Sequence, residues 1–178
     1  KFPIHYISTE FDAALFESLL ENSEQLYPAV YLDFFRSLLN EKKYSSLNFT
    51  VEILMGDARQ SIQTLENESV DAIFHDPFSP YKNTELWTVE FFKQEKRILK
   101  NDGIFSTYRM STPMRSGLKE AGFFVFEGIG DSTKTTGTIA AKSETLALTP
   151  LSLKFAEKLV SSPDRSPFRD NQEMDLDR

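Results

Sequence analysis

Val70-Asp71-Ala72-Ile73-Phe74-His75-Asp76-Pro77-Phe78-Ser79-Pro80 decides how the chain is read. Residues 70–74 are almost continuously apolar and rich in β-branched and aromatic types, the pattern of a strand covered on both faces, as in a parallel sheet flanked by helices. Pro77 and Pro80 end it, because a proline donates no amide hydrogen and pushes the residue before it out of helical backbone. Asp76 therefore falls at the carboxyl end of a buried strand, in a loop stiffened by two prolines. In open α/β sheets that end is where ligands bind. An aspartate that merely fixes a proline turn through its own backbone is the other reading of the same residues.

Working outward, strand and helix alternate. Ile4 to Ser8 reads as a strand that stops at Thr9-Glu10, and two stretches of helical spacing follow, over 11–21 and 27–40, with Pro28 near a helix start. Phe49 to Met55 is a strand closed by Gly56-Asp57-Ala58, with a short helix over 58–65. A helix over 84–99 ends at the turn Asn101-Asp102-Gly103, and a strand runs over 103–108. A helix over 113–121 leads to an antiparallel hairpin, 123–128 with 138–142, whose tip is long. One helix is expected over 151–160, and the polar residues 161–178 are expected to form an extended tail. The domain reading is 1–150 as one α/β domain, a doubly wound sheet ending in an antiparallel hairpin, and 151–178 as an appended helix and tail.

In that sheet three acids, Glu10, Asp57 and Asp76, fall at strand ends on the ligand-binding edge. One such acid usually caps a helix or meets solvent, and three together point to a site. A nucleoside-containing cofactor needs a carboxylate for its ribose hydroxyls and an acceptor for its adenine amino group. Glu10 suits the ribose and Asp57 the adenine, with Gly56 and Ala58 in the same turn. Asp76 faces the reacting centre and is the candidate catalytic group.

The 178 residues carry a net charge of −7, which argues against a general polyanion binder, although Arg109, Arg115, Lys119, Lys134 and Lys142 make the third quarter locally basic. Sixteen phenylalanines predict a core built partly on aromatic packing. Absence of cysteine excludes disulfides and thiolate metal sites, and a cytoplasmic protein is expected. No apolar run approaches the roughly 20 residues that span a bilayer. His5 and His75 are too isolated to form a metal centre, so no metal is expected.

The string from His75 to Thr88, HDPFSPYKNTELWT, resembles the D-x-F-[SA]-P-x-K-N-P-x-[LM]-W-T signature of MnmC-family methyltransferases. Tyr6 to Glu10, Gly56-Asp57-Ala58, Asn101 to Ile104, Met114 to Leu118, Ala121-Gly122-Phe123 and Lys134 to Thr138 are similar to further stretches of that family, so the likeness covers roughly residues 4–142. Ser166 to Asp170 is similar to a proline-arginine stretch of stand-alone members. The resemblance implies a Rossmann-like fold and transfer of a methyl group from S-adenosylmethionine to the exocyclic amine of 5-aminomethyl(-2-thio)uridine at the tRNA wobble position. For that reaction the cofactor is expected at Glu10, Gly56, Asp57, Ala58 and Asp76, and the tRNA at Phe78, Pro80, Tyr81, Lys82, Trp87, Arg115 and Lys134; Lys82, Arg109, Arg115 and Lys134 are candidates for its phosphates or ordinary surface cations, and an indole like Trp87 is more often a core residue. It implies no FAD, because the oxidase domain of bifunctional members is not in this sequence.

Within the signature, Thr84 replaces the usual proline and Pro77 a small residue. The first strand and glycine-rich loop of a Rossmann methyltransferase are not found here, so the sequence is expected to start at the second strand of the fold. Two other readings stay open, a non-catalytic tRNA- or protein-binding remnant of the same fold and a methyltransferase acting on a protein or small amine. A nicotinamide oxidoreductase is a weaker third.

Overall fold

The computed structural model describes residues 2–14, 17–18, 22, 28–128, 137–144 and 148–170. The chain divides into two units, Lys1–Thr64 and Leu65–Arg178, each with its own sheet.

The first unit holds β1 (Ile4–Glu10), a 3-10 turn (Ala29–Tyr31), α1 (Leu32–Glu41), β2 (Lys43–Ser45), β3 (Phe49–Met55) and α2 (Ala58–Ser61). Strand order is β1-β3-β2. β1 lies parallel to β3 from Ile4↔Phe49 to Glu10↔Met55, and β2 pairs antiparallel with β3. β2 was not expected from sequence: it is three residues long and forms because Lys42, left-handed at φ 56°, reverses the chain after α1. Leu38, Val51 and Ile53 make a small core with Phe34, Tyr44 and Met55. Of the helix expected over 11–21, residues 13–14 and 17–18 are helical, and 15–16 and 19–21 lie outside the described residues.

The second unit holds β4 (Val70–His75), a 3-10 turn (Thr84–Trp87), α3 (Val89–Ile98), β5 (Leu99–Thr107), α4 (Thr112–Glu120), β6 (Phe124–Glu127), β7 (Thr138–Ala141) and α5 (Leu153–Ser161). Its order is β4-β5-β7-β6, with β4 and β5 parallel and both pairings of β7 antiparallel. The α/β class and the terminal hairpin are as read from the sequence; the hairpin tip, 129–136, lies outside the described residues. Its core joins both sheet and helices: Trp87, Val89, Phe92, Leu99, Phe105, Met114, Leu118, Phe123 and Ala140.

Two local corrections follow from backbone chemistry. The helix expected over 84–99 is interrupted at Thr88, whose extended backbone (ψ 156°) and hydroxyl, accepting from the Phe91 amide at 3.2 Å, cap a new helix. The turn expected at Asn101-Asp102-Gly103 is instead a bulge inside β5, where the register jumps from Val70↔Leu99 to Ala72↔Ile104. A side chain at Gly103 would come within 2.7 Å of Leu99 Cδ1 and 3.0 Å of the Asp71 carbonyl, so the bulge needs glycine.

The extended tail expected over 161–178 is also corrected as far as Asp170, and residues 151–170 fold with the second unit. Phe168 packs on the core, its carbonyl accepts from the Val89 amide at 3.1 Å, and it bridges Thr88. Arg169 pairs with Glu90 and Glu120, while the Asp170 amide donates to Glu90 Oε2 at 3.1 Å. An apolar anchor and an ion cluster thus tie this strap to the start of α3.

Burial alone would raise the Glu90 pKa, but the donors from the strap and Arg169 outweigh it and hold the carboxyl below its ordinary value. A depressed folded pKa means that Glu90 stabilises the fold above the unfolded glutamate value and loses that contribution as pH falls through the folded one. Glu90→Gln is therefore expected to be less stable at neutral pH and less sensitive to acid. Urea unfolding at neutral pH and at about pH 3.5 checks this; equal acid sensitivity in both proteins would refute it.

Candidate functional site

In the first unit the parallel register ends at Glu10↔Met55, and the Gly56 amide donates to the Glu10 carbonyl at 2.8 Å. This brings Glu10, Gly56, Asp57 and Ala58 together at one sheet edge. Gly56 takes φ +105°, and a Cβ built on it meets nothing within 4 Å, so the turn leaves open space beside the backbone. Asp57 caps α2 through the Arg59 amide at 2.9 Å and forks onto the Arg59 Nε at 3.0 Å from both oxygens. That hydrogen bond to Arg59 is the chief reason its carboxyl is held below the usual range, against the effect of burial. Glu10 Oε1 accepts from the Asp12 amide at 2.9 Å.

Asp76 ends a strand of the other sheet, in the second unit. The three acids read as one edge are thus divided, two in one unit and one in the other. Along β4 the period-two alternation buries His75 and exposes Asp76. The loop that follows is internally braced: the Lys82 amide donates to the Ser79 carbonyl at 2.8 Å, the Thr84 hydroxyl to the Pro80 carbonyl, and the Trp87 indole to the Phe78 carbonyl at 2.9 Å. Bracing from beneath leaves Phe78 and Tyr81 at the surface, 72% and 92% exposed, with the Lys82 ammonium 5.4 Å from the Phe78 ring centre. Exposed aromatic faces beside a carboxylate are suited to a planar, cationic ligand.

Several residues expected at a tRNA surface stand elsewhere. Trp87 is fully buried, edge-on to His75 at 4.6 Å, because the 3-10 turn points it into the core. Pro80 is buried as the acceptor of the Thr84 hydroxyl. Arg115 is fully buried on the inner face of α4: its Nη2 pairs with Glu127 at 3.2 Å, its Nε donates to Thr138 at 2.9 Å, and its guanidinium lies over Phe155. Burial lowers its pKa, and Glu127 opposes that shift. It ties α4 to the hairpin, so its assignment to phosphate is corrected. Lys134 lies outside the described residues.

Directly behind Asp76 is a pair that the sequence did not reveal. His75 Nδ1 and Glu95 Oε1 stand 2.8 Å apart, both side chains nearly sealed from solvent, with Trp87, Phe92 and Phe105 around the imidazole. Twenty residues separate the partners, and Glu95 on an amphipathic helix reads as a surface charge. Among the described residues no group of three or more His, Cys, Asp or Glu is placed to hold a metal ion, and no helix is long and apolar enough to cross a membrane.

A family described as S-adenosyl-L-methionine-dependent methyltransferase matches residues 17–143. The chain is 38% identical over 92 residues to the tRNA 5-methylaminomethyl-2-thiouridine biosynthesis bifunctional protein MnmC of Ralstonia nicotianae, covering 52% of this chain and 14% of that protein. It is 32% identical over 126 residues to the protein of the same name in Pseudomonas fluorescens, covering 69% and 18%. The chain thus spans less than a fifth of the length of these curated relatives. A crystal structure of MnmC2 from Aquifex aeolicus is similar over 100% of this chain and 64% of its own, with 28% identity and a TM-score of 0.72. That likeness places the fold among Rossmann-like methyltransferases.

Removing one partner of a buried pair strands the other without solvent. Glu95→Ala is expected to cost about 3 kcal/mol in urea unfolding. A cost below about 1 kcal/mol, the value of an ordinary surface pair, would mean that the pair is not made.

Proposed function

The chain belongs to the S-adenosyl-L-methionine-dependent methyltransferase family, and from that premise we propose that its parent protein methylates the exocyclic amine of 5-aminomethyl(-2-thio)uridine at the wobble position of tRNA. The observation that carries the reading is Asp76, exposed at the end of β4 beside a braced loop that presents Phe78, Tyr81 and Lys82. The curated relatives matched by sequence are named for that modification, which supports the substrate.

The residues at the β1 and β3 ends fit the cofactor. Glu10 has a carboxylate oxygen beyond the one held by the Asp12 amide, as two ribose hydroxyls require. The open space at Gly56 admits a ligand against the backbone, and Asp57 would meet the adenine amino group by sharing the oxygens that hold Arg59. When bound, S-adenosylmethionine supplies an electrophilic methyl group on a sulfonium.

An alkylamine is protonated near neutral pH and has no lone pair until it loses a proton. Asp76 holds the ammonium by a charge-assisted hydrogen bond and takes or relays that proton. The deprotonated amine would then have a lone pair for the methyl group that bound S-adenosylmethionine would supply. Phe78 and Tyr81 are the exposed rings for the base and the cation, and Lys82, over the Phe78 ring, is the cation for a phosphate. Since the described surface is not uniformly basic, ring stacking and a few placed cations carry recognition more than bulk charge does.

The test is methyl transfer by the full-length protein from labelled S-adenosylmethionine to tRNA containing 5-aminomethyluridine. Asp76→Asn is expected to lower kcat by about 100-fold, the lower range for loss of a positioned acid or base, with cofactor affinity kept. Glu10→Gln is expected to raise the cofactor KM several-fold with little effect on kcat. A folded protein that binds cofactor but transfers no methyl to this tRNA would refute the substrate assignment.

A further inference from the structure

Tyr108 is the first residue after β5, as Asp76 is the first after β4, and the pairing of the two strands ends at His75↔Thr107. Residues in register on neighbouring strands share a face of the sheet. His75 and Thr107 are buried, 4% and 6% exposed, so the next position on each strand turns outward. Asp76 is exposed and Tyr108 is 49% exposed. The pairing therefore brings the chain at Tyr108 next to the turn that starts at Asp76.

Three further contacts separate Tyr108 from an ordinary surface tyrosine. Its hydroxyl donates to the Pro77 carbonyl at 3.2 Å, which ties the ring to the turn that carries Asp76. One side of the ring stands edge-on to buried Trp87, centroids 6.1 Å apart, which limits its freedom. The Arg109 guanidinium lies over the ring, 5.9 Å from its centre, which sets a cation on one aromatic face. The neighbouring loop repeats the combination with Phe78 and Lys82. A braced, half-exposed ring loses little entropy on stacking, and its adjoining cation suits a ligand that is planar and anionic along its backbone.

We propose that Tyr108 is a substrate-positioning residue: its hydroxyl holds the Pro77 carbonyl so that the turn presents Asp76, and its ring face receives the base that bears the amine. The proposal rests on the tRNA methyltransferase reading for the identity of that base.

The two roles separate in the full-length protein. Tyr108→Phe keeps the ring and is expected to retain the tRNA KM while kcat falls a few-fold. Tyr108→Leu removes the stacking face and is expected to raise KM about tenfold, and Tyr108→Trp to restore most of that loss. A purely structural role would not produce this split or the rescue by tryptophan. Wild-type kcat and KM in both the Phe and Leu variants would overturn the proposal, as would a KM defect in Leu that Trp does not repair. Binding of the 5-aminomethyluridine nucleoside, followed by saturation-transfer NMR, keeps the question apart from turnover. If wild-type protein transfers no methyl to the tRNA, the function reading fails by itself, and absence of saturation transfer between the nucleoside and the Tyr108 ring overturns the ring's role.

Discussion

In the second unit, the candidate site depends on the alternation at the end of β4. A strand turns successive side chains to opposite faces, so the residue after a buried position is carried outward without further design. Here the buried position is polar. His75 is taken out of water among aromatic rings and meets Glu95, and the strand end is thereby pinned to α3. Asp76 then has one place to go, and the prolines at 77 and 80 keep the following loop from relaxing back over it.

The rest of the second unit reinforces that arrangement with buried polar ties. Trp87 spends its indole N–H on the Phe78 carbonyl, and Arg115 spends its guanidinium on Glu127, Thr138 and the Gly137 carbonyl. Such groups are costly to bury unpaired, which makes each an anchor with a defined partner instead of a general adhesive. The strap from Pro163 to Asp170 adds another anchor at Thr88 and Val89, immediately after the loop. Rigid support below and exposed rings above is the economical layout for a flat ligand, since the rings need little further ordering on contact.

How legible this was differs by scale. The alternation of strands and helices, the strand-end positions of Glu10, Asp57 and Asp76, and the signature after His75 all lie in local runs of residues, where periodicity and turn chemistry act directly. Residue type does not settle Trp87 or Arg115, because a tryptophan or arginine has the same local pattern whether its polar atoms meet a ligand or a buried partner; both are buried. β2 was missed because three residues carry too little periodicity, and the bulge at Gly103 because an Asn-Asp-Gly run is also a good turn.

By itself the sequence determined the α/β class, the closing hairpin, the acid at the end of β4 and the kinship of its motifs, since these follow from residue types a few positions apart. Tertiary structure alone decided that His75 would find Glu95, that the Tyr108 hydroxyl would reach the Pro77 carbonyl, and that the strap would lock onto α3. Those partners lie tens of residues apart along the chain. Their meeting is set by strand register and by the requirement that buried polar groups be paired, neither of which a local pattern contains.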